Sequence, residues 1–143
     1  KMRKNSFLST QVKKELIRPT KIYVDEVMKI VKKKLITGCA NITGGGLLEN
    51  IIRVVPNKLC VNIDLSKIKI KPIFKWLKNN RIKDAEMINT FNCGVGFCLI
   101  TNKKNVKKIV KCFPKDYKPY EIGFISKEKH KIKTFNKLKW QIK

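Results

Sequence analysis

The chain has 143 residues and carries 34 Lys+Arg against 10 Asp+Glu, a formal net charge of +24. That length suits one domain, and 43% hydrophobic residues fill one core, which excludes disorder as the main state. No uninterrupted apolar run approaches the roughly 18–20 residues of a membrane helix, and Lys1-Met2-Arg3-Lys4 leads into no long apolar stretch of the signal-peptide kind.

In chain order, residues 1–15 are basic and polar and read as a linker or an incomplete start of a domain placed at 16–143. Short apolar patches interrupt this lead-in at Phe7-Leu8 and Leu16-Ile17. The chain does not begin with Met, so a piece of something longer is expected. Val24, Val27, Met28, Val31 and Leu35 recur at helical spacing, with Pro19 before them and Gly38 after. Cys39-Ala40-Asn41-Ile42 predicts a short strand, Thr43-Gly44-Gly45-Gly46 a loop, and Leu47 to Val55 a helix stopped by Pro56. Leu59, Val61 and Ile63 alternate with Cys60, Asn62 and Asp64, which predicts a strand with one face inward.

Pro72 opens a helix carrying Ile73, Phe74, Trp76 and Leu77, and Asn79-Asn80 ends it. Residues 86–101 read as a loop entering a buried strand at Cys98-Leu99-Ile100. Val106, Ile109, Val110 and Phe113 predict an amphipathic helix before Pro114, residues 120–125 a strand, and residues 131–139 a last one. Helices and strands interleave, but several strand-to-strand links are short. The fold class is therefore α+β, a mixed sheet with packed helices, rather than a doubly wound parallel sheet.

The charge reads two ways. A strongly basic chain is the footprint of a nucleic-acid binder. Yet 30 Lys, 19 Ile and 12 Asn make up 61 of the 143 residues, against only four Arg. Lys, Ile and Asn share A/T-rich codons, and readers of nucleic acid lean on the planar fork of Arg. Nucleic acid is therefore not the expected partner. Trp76, Trp140 and the tyrosines read as core or rim rather than stacking platforms, and His130 as exposed. Cys39, Cys60, Cys93, Cys98 and Cys112 are odd in number and form no CxxC pair. With a single histidine they read as reduced, buried small hydrophobes, with no metal site expected.

Two segments could carry chemistry. Three consecutive glycines between strand and helix place backbone N–H groups at a helix start, where an anion such as phosphate would sit; a tight turn needing positive φ is the plainer reading. No Gly-Lys-Ser/Thr follows, so this is no P-loop, and Glu49 stands where a dinucleotide fingerprint has its third glycine. Asn50 and Arg53 are three apart on the following helix, and a bidentate arginine grip on phosphate or carboxylate fits there. In Phe91-Asn92-Cys93-Gly94-Val95-Gly96-Phe97 the two glycines fall on one side of a strand, leaving a flat surface for a ligand or a second backbone.

Taken together, residues 17–27 (IRPTKIYVDEV), 40–56 (ANITGGGLLENIIRVVP), 72–77 (PIFKWL) and 86–97 (EMINTFNCGVGF) closely resemble the C-terminal domain of phosphoribosylformylglycinamidine cyclo-ligase, or aminoimidazole ribonucleotide synthetase. The resemblance covers most of residues 16–125. It implies a cytoplasmic enzyme of purine biosynthesis that uses ATP and Mg²⁺ to close the imidazole ring of formylglycinamidine ribonucleotide, giving aminoimidazole ribonucleotide, ADP and phosphate. It also implies a homodimer of two-domain subunits with the cleft between domains, the N-terminal ATP-binding domain supplying most nucleotide and metal contacts. Thr43, Gly44, Gly45, Gly46, Asn50 and Arg53 become candidate phosphate or substrate contacts, and Asn92, Gly94 and Gly96 another wall of the cleft.

Departures from the family pattern are specific. Asn41 stands where the family usually has His, and an amide cannot shuttle a proton near neutral pH; the catalytic residue is therefore open. Asn50-Ile51-Ile52-Arg53 replaces Asn-Ile-Pro-Arg, Lys21 replaces Arg, and Asn89 replaces an Arg. The resemblance includes no ATP-binding domain, so the fragment alone is expected to be inactive. The alternatives are a related ATP-dependent synthetase of the same superfamily, a basic RNA-binding or partner-docking module, or a decayed gene product.

Overall fold

The structure is a computed structural model and describes residues 10–140; the Phe7-Leu8 patch lies outside them. The helices are α1 (Thr10–Leu16), α2 (Val24–Lys32), α3 (Gly46–Ile52), α4 (Pro72–Lys78), α5 (Asp84–Thr90) and α6 (Val106–Lys111), and the strands β1 (Gly38–Asn41), β2 (Cys60–Asp64), β3 (Phe97–Ile100), β4 (Gly123–Ser126) and β5 (Ile132–Phe135). The expected α+β class holds. The strands form two sheets: an antiparallel pair, β1-β3, and a three-stranded sheet in the order β4-β2-β5, with β2 antiparallel to β4 and parallel to β5. No helix among the described residues is long and apolar enough to cross a membrane.

The main core joins Leu47 and Ile51 of α3, Met87 and Ile88 of α5, and Val61 and Ile63 of β2 to Ile42, Val95 and Leu138. A second, smaller core holds Ile30, Ile109 and Phe113, between α2 and α6.

Of the two readings of the lead-in, linker or incomplete start of a domain, the second fits helix α1, whose Val12 is buried and which packs on α4. Three expectations are corrected. On α2 the apolar stripe does not all face inward: Val27 and Ile30 are buried, whereas Val24, Met28 and Val31 are exposed. The helix has a second apolar face, which its periodicity could not assign. The segment expected as loop is helix α5 over its first part; it lacks an i, i+3, i+4 stripe and is held by packing against α3. Finally, β2 is buried on both faces.

The second face of β2 is covered by its neighbours' side chains. Phe124 and Lys133 pair with Asn62, and Phe135 with Asp64. Beneath them the Asn62 amide donates to Ser126 Oγ at 2.8 Å, Ser126 donates to Glu128 at 2.6 Å, and Lys133 closes on the same carboxylate. Asp64 accepts from Ser66 N, Ser66 Oγ and Asn136 Nδ2 at 3.0, 2.7 and 2.9 Å. Alternating polar residues thus mark a hydrogen-bonded layer rather than a wet face.

The contact between α3 and α5 depends on Gly46, which sits at φ +63° with the Ile88 carbonyl where a Cβ would be. Gly46→Ala is expected to destabilise the fold by at least about 2 kcal/mol, read as a lowered midpoint in denaturant. The hydrogen bonds from Asn136 and Ser66 hold the Asp64 carboxyl below its ordinary value. Its stabilisation is therefore present above roughly pH 4 and is lost as pH falls through the lower folded value. Asp64→Asn is expected to flatten the acid limb of stability against pH, measured by denaturation between pH 2 and pH 6.

Candidate functional site

Four separated segments converge on an open cleft of about 390 Å³. The link between α1 and α2 contributes Arg18 to Lys21 and Tyr23, and the end of β1 contributes Asn41, Ile42 and Thr43. The start of α4 adds Lys71, Ile73 and Phe74, and the turn before β3 adds Asn92, Gly94 and Gly96.

Backbone hydrogen bonds fix these walls to one another. Asn41 pairs with Phe97 at the end of the β1-β3 ladder, and Ile42 N donates to Gly96 O at 3.0 Å. The turn is braced internally: Gly94 N donates to Asn92 Oδ1 at 3.0 Å, and Val95 N to Asn92 O at 2.8 Å. Gly94 lies at φ +105°, where a Cβ would sit 2.6 Å from Lys69 O. Gly94 therefore lets a second backbone cross, as one reading of the glycine pair expected. The two glycines lie in the turn, however, and not on one side of a strand. Gly96 is bare because the Tyr23 ring covers it, with the hydroxyl where a Cβ would be.

Three cations face this space. Arg18 donates to Glu15 at 3.0 Å, and Glu15 is the one carboxylate of the lining. Lys21 is drawn aside, 3.7 Å above the Tyr117 ring and 3.6 Å from Asp116. Lys71 has no ion-pair partner among the described residues. Behind Lys21, the hydrogen bond to Glu26 pushes the Tyr117 hydroxyl up to about 12 and holds the Glu26 carboxyl down. Net positive charge beside amides and hydroxyls suits an anionic ligand that also carries neutral hydrogen-bonding groups.

Of the sequence candidates, Asn41, Thr43, Asn92, Gly94 and Gly96 meet in the cleft, and Gly44, Gly45, Gly46, Asn50 and Arg53 are not part of its lining. Two glycines of the loop have a part in the fold. Gly45 takes φ +87°, with the Glu49 carboxylate over it, and Gly46 meets α5. Asn50 is buried, and its amide nitrogen donates to Thr43 O, Gly44 O and Gly46 O at 3.4, 3.0 and 2.7 Å. Arg53, although three residues on, is exposed and lies 3.7 Å from Glu49. The two side chains thus have different partners, Asn50 the loop carbonyls and Arg53 the Glu49 carboxylate.

Arg18, Tyr23 and Lys71 were not singled out from sequence. Arg18 carried a usable signal, being one of only four arginines. Lys71 carried none among 30 lysines. His130 is exposed as expected, and Cys60, Cys93 and Cys98 are buried free thiols; burial pushes Cys93 up to about 11 and Cys98 to about 12.

The architecture is an α+β domain with a cationic, amide-lined cleft at one end of its two-stranded sheet. Residues 1–135 match the family described as AIR synthase related protein, C-terminal domain, and the chain belongs to that family. It is 41% identical over 121 residues to the phosphoribosylformylglycinamidine cyclo-ligase of Streptococcus pneumoniae serotype 4, covering 84% of this chain and 35% of that protein. The cyclo-ligases of two further strains of the species match equally, at 41% identity with 84% and 35% coverage. The chain thus spans about a third of the length of the curated relatives it matches, 35%.

Asn50→Ala is expected to cost about 1–3 kcal/mol, since it leaves loop carbonyls unpaired. Arg53→Ala, which removes an exposed ion pair, should change stability by less than about 0.5 kcal/mol. Parallel urea titrations of the two variants check both values.

Proposed function

We propose that this domain forms the substrate-framing wall of an ATP-dependent cyclo-ligase that closes the imidazole ring of formylglycinamidine ribonucleotide, yielding aminoimidazole ribonucleotide, ADP and phosphate. One observation carries the reading. The four segments that resemble the cyclo-ligase lie far apart in the chain, yet each contributes to the lining of a single cleft. Shared structure alone would not require them to meet there.

In this reading Lys71 and Arg18 take the ribonucleotide phosphate, while Asn41, Thr43 and Asn92 orient the part that reacts. Ring closure follows the course the resemblance implies. The formyl oxygen is phosphorylated by ATP, an amidine nitrogen attacks the formyl carbon, and phosphate leaves with that oxygen. Asn41 can donate and accept hydrogen bonds but cannot carry a proton near neutral pH, so proton transfer falls to another group.

Among the described residues no three His, Cys, Asp or Glu side chains are grouped to hold a metal ion. The glycine loop does not line the cleft, and Glu49 covers it. The resemblance assigns Mg²⁺ and ATP to an N-terminal ATP-binding domain, in a cytoplasmic, homodimeric enzyme. The exposed apolar residues Ile17, Ile22, Val24, Met28 and Val31 lie on the link that lines the cleft and on the helix α2 that follows it. They offer a seat for that domain.

A strain lacking the cyclo-ligase tests the proposal. The 143-residue chain alone should not restore growth without purines, and the chain joined to a cyclo-ligase N-terminal domain should. Lys71→Met in the joined protein should abolish rescue or slow it at least about tenfold. Good expression of the joined protein without rescue would overturn the reading.

A further inference from the structure

Tyr23 is held in one place by its neighbours. Its ring lies 5.3 Å from that of Phe97 and 6.4 Å from that of Tyr117, and Tyr117 stands edge-on to Phe113 at 6.1 Å. This run of rings ties the cleft wall to the smaller core, where Phe113 is buried. Bare Gly96 admits the hydroxyl on the remaining side. A phenol so confined loses little further freedom when a ligand binds.

The hydroxyl itself is unused. Among the described residues it has no hydrogen-bond partner, whereas Tyr117 is bonded to Glu26 and Tyr120 accepts from Lys69 N at 3.1 Å. Burial raises the Tyr23 hydroxyl above its ordinary value, so it remains a donor at neutral pH. Asn41 pairs with Phe97 across the ladder and so shares the side of the two-stranded sheet on which the Tyr23 ring lies. Its amide also has no partner among the described residues. Lys71 is placed differently: its backbone nitrogen passes Gly94, not Gly96.

The cleft therefore has two kinds of lining, the Lys71 cation and the neutral donors and acceptors beside Gly96. We propose that the Tyr23 hydroxyl, with the Asn41 amide, reads the neutral amide end of a substrate whose phosphate is taken by Lys71. The inference rests on the cyclo-ligase reading and adds to it a specificity-determining residue. A phenol and an amide, each able to donate and accept, complement a neutral formamide group, whereas the lysine, a cation with donors only, suits the phosphate.

NMR titrations of the 143-residue chain with two probes, formylglycinamidine ribonucleotide and ribose 5-phosphate, test this. The second probe keeps the phosphate and lacks the amide end. The native chain should bind the ribonucleotide more tightly. Tyr23→Phe should weaken that binding about 3- to 10-fold and leave ribose 5-phosphate unchanged. Lys71→Met should weaken both. Equal binding of the two probes by the native chain, or a Tyr23→Phe variant that loses both alike or neither, would overturn the role of Tyr23 and leave the cyclo-ligase reading standing. A native chain that binds neither probe would overturn both.

Discussion

The backbone contact between α3 and α5 is the constraint on which the cleft depends. Gly46 brings the start of α3 against the Ile88 carbonyl, and both walls next to the contact inherit its position. On one side Asn50 gathers the carbonyls of residues 43, 44 and 46, and so sets Thr43 and the end of β1. On the other, Phe91 N and Cys93 Sγ both donate to Met87 O, carrying the last turn of α5 into the bend that presents Asn92. Of the three consecutive glycines, Gly46 is the one that serves the approach of the two helices. The residues that face the cleft are polar side chains a few positions away.

Much of this was legible in the sequence where the signal was local. Pro56, Pro72 and Pro114 punctuate the elements as expected, and β1, α3, α4, β3 and α6 fall where apolar spacing put them, whereas Gly38, expected to close a helix, opens β1. The misses have physical causes. Helix α5 has only Met87 and Ile88 to bury and forms because α3 packs on it, which no short window reveals. Strand β2 alternates in hydropathy, yet its polar side is sealed by Ser126, Glu128 and Asn136, partners more than sixty positions away.

The site was legible in part and for a similar reason. Asn41, Thr43, Asn92, Gly94 and Gly96 stood out by type and setting, and all five reach the cleft. Asn50 and Arg53 stood out as strongly, but helical spacing says which residues share a face and not what that face meets. Asn50 turned inward to the loop and Arg53 outward to solvent. Lys71 could not stand out in a chain with 30 lysines, and Tyr23 acquires its place only when the rings around it assemble.

The order of strands in the larger sheet bears on how the chain acquires its shape. Its central strand, β2, pairs in parallel with β5, and the residues after β5 return to the core through Leu138 and to Asp84 through Trp140. During synthesis the middle of the sheet leaves the ribosome long before the strand that completes one of its sides. Until residue 135 has emerged, β2 has a row of unpaired amides and carbonyls beside an unfinished core, a situation that invites association with other chains. Contacts of such long sequence separation also make folding slow. Protection of this nascent edge, as by a chaperone, is then part of what the topology demands of the cell.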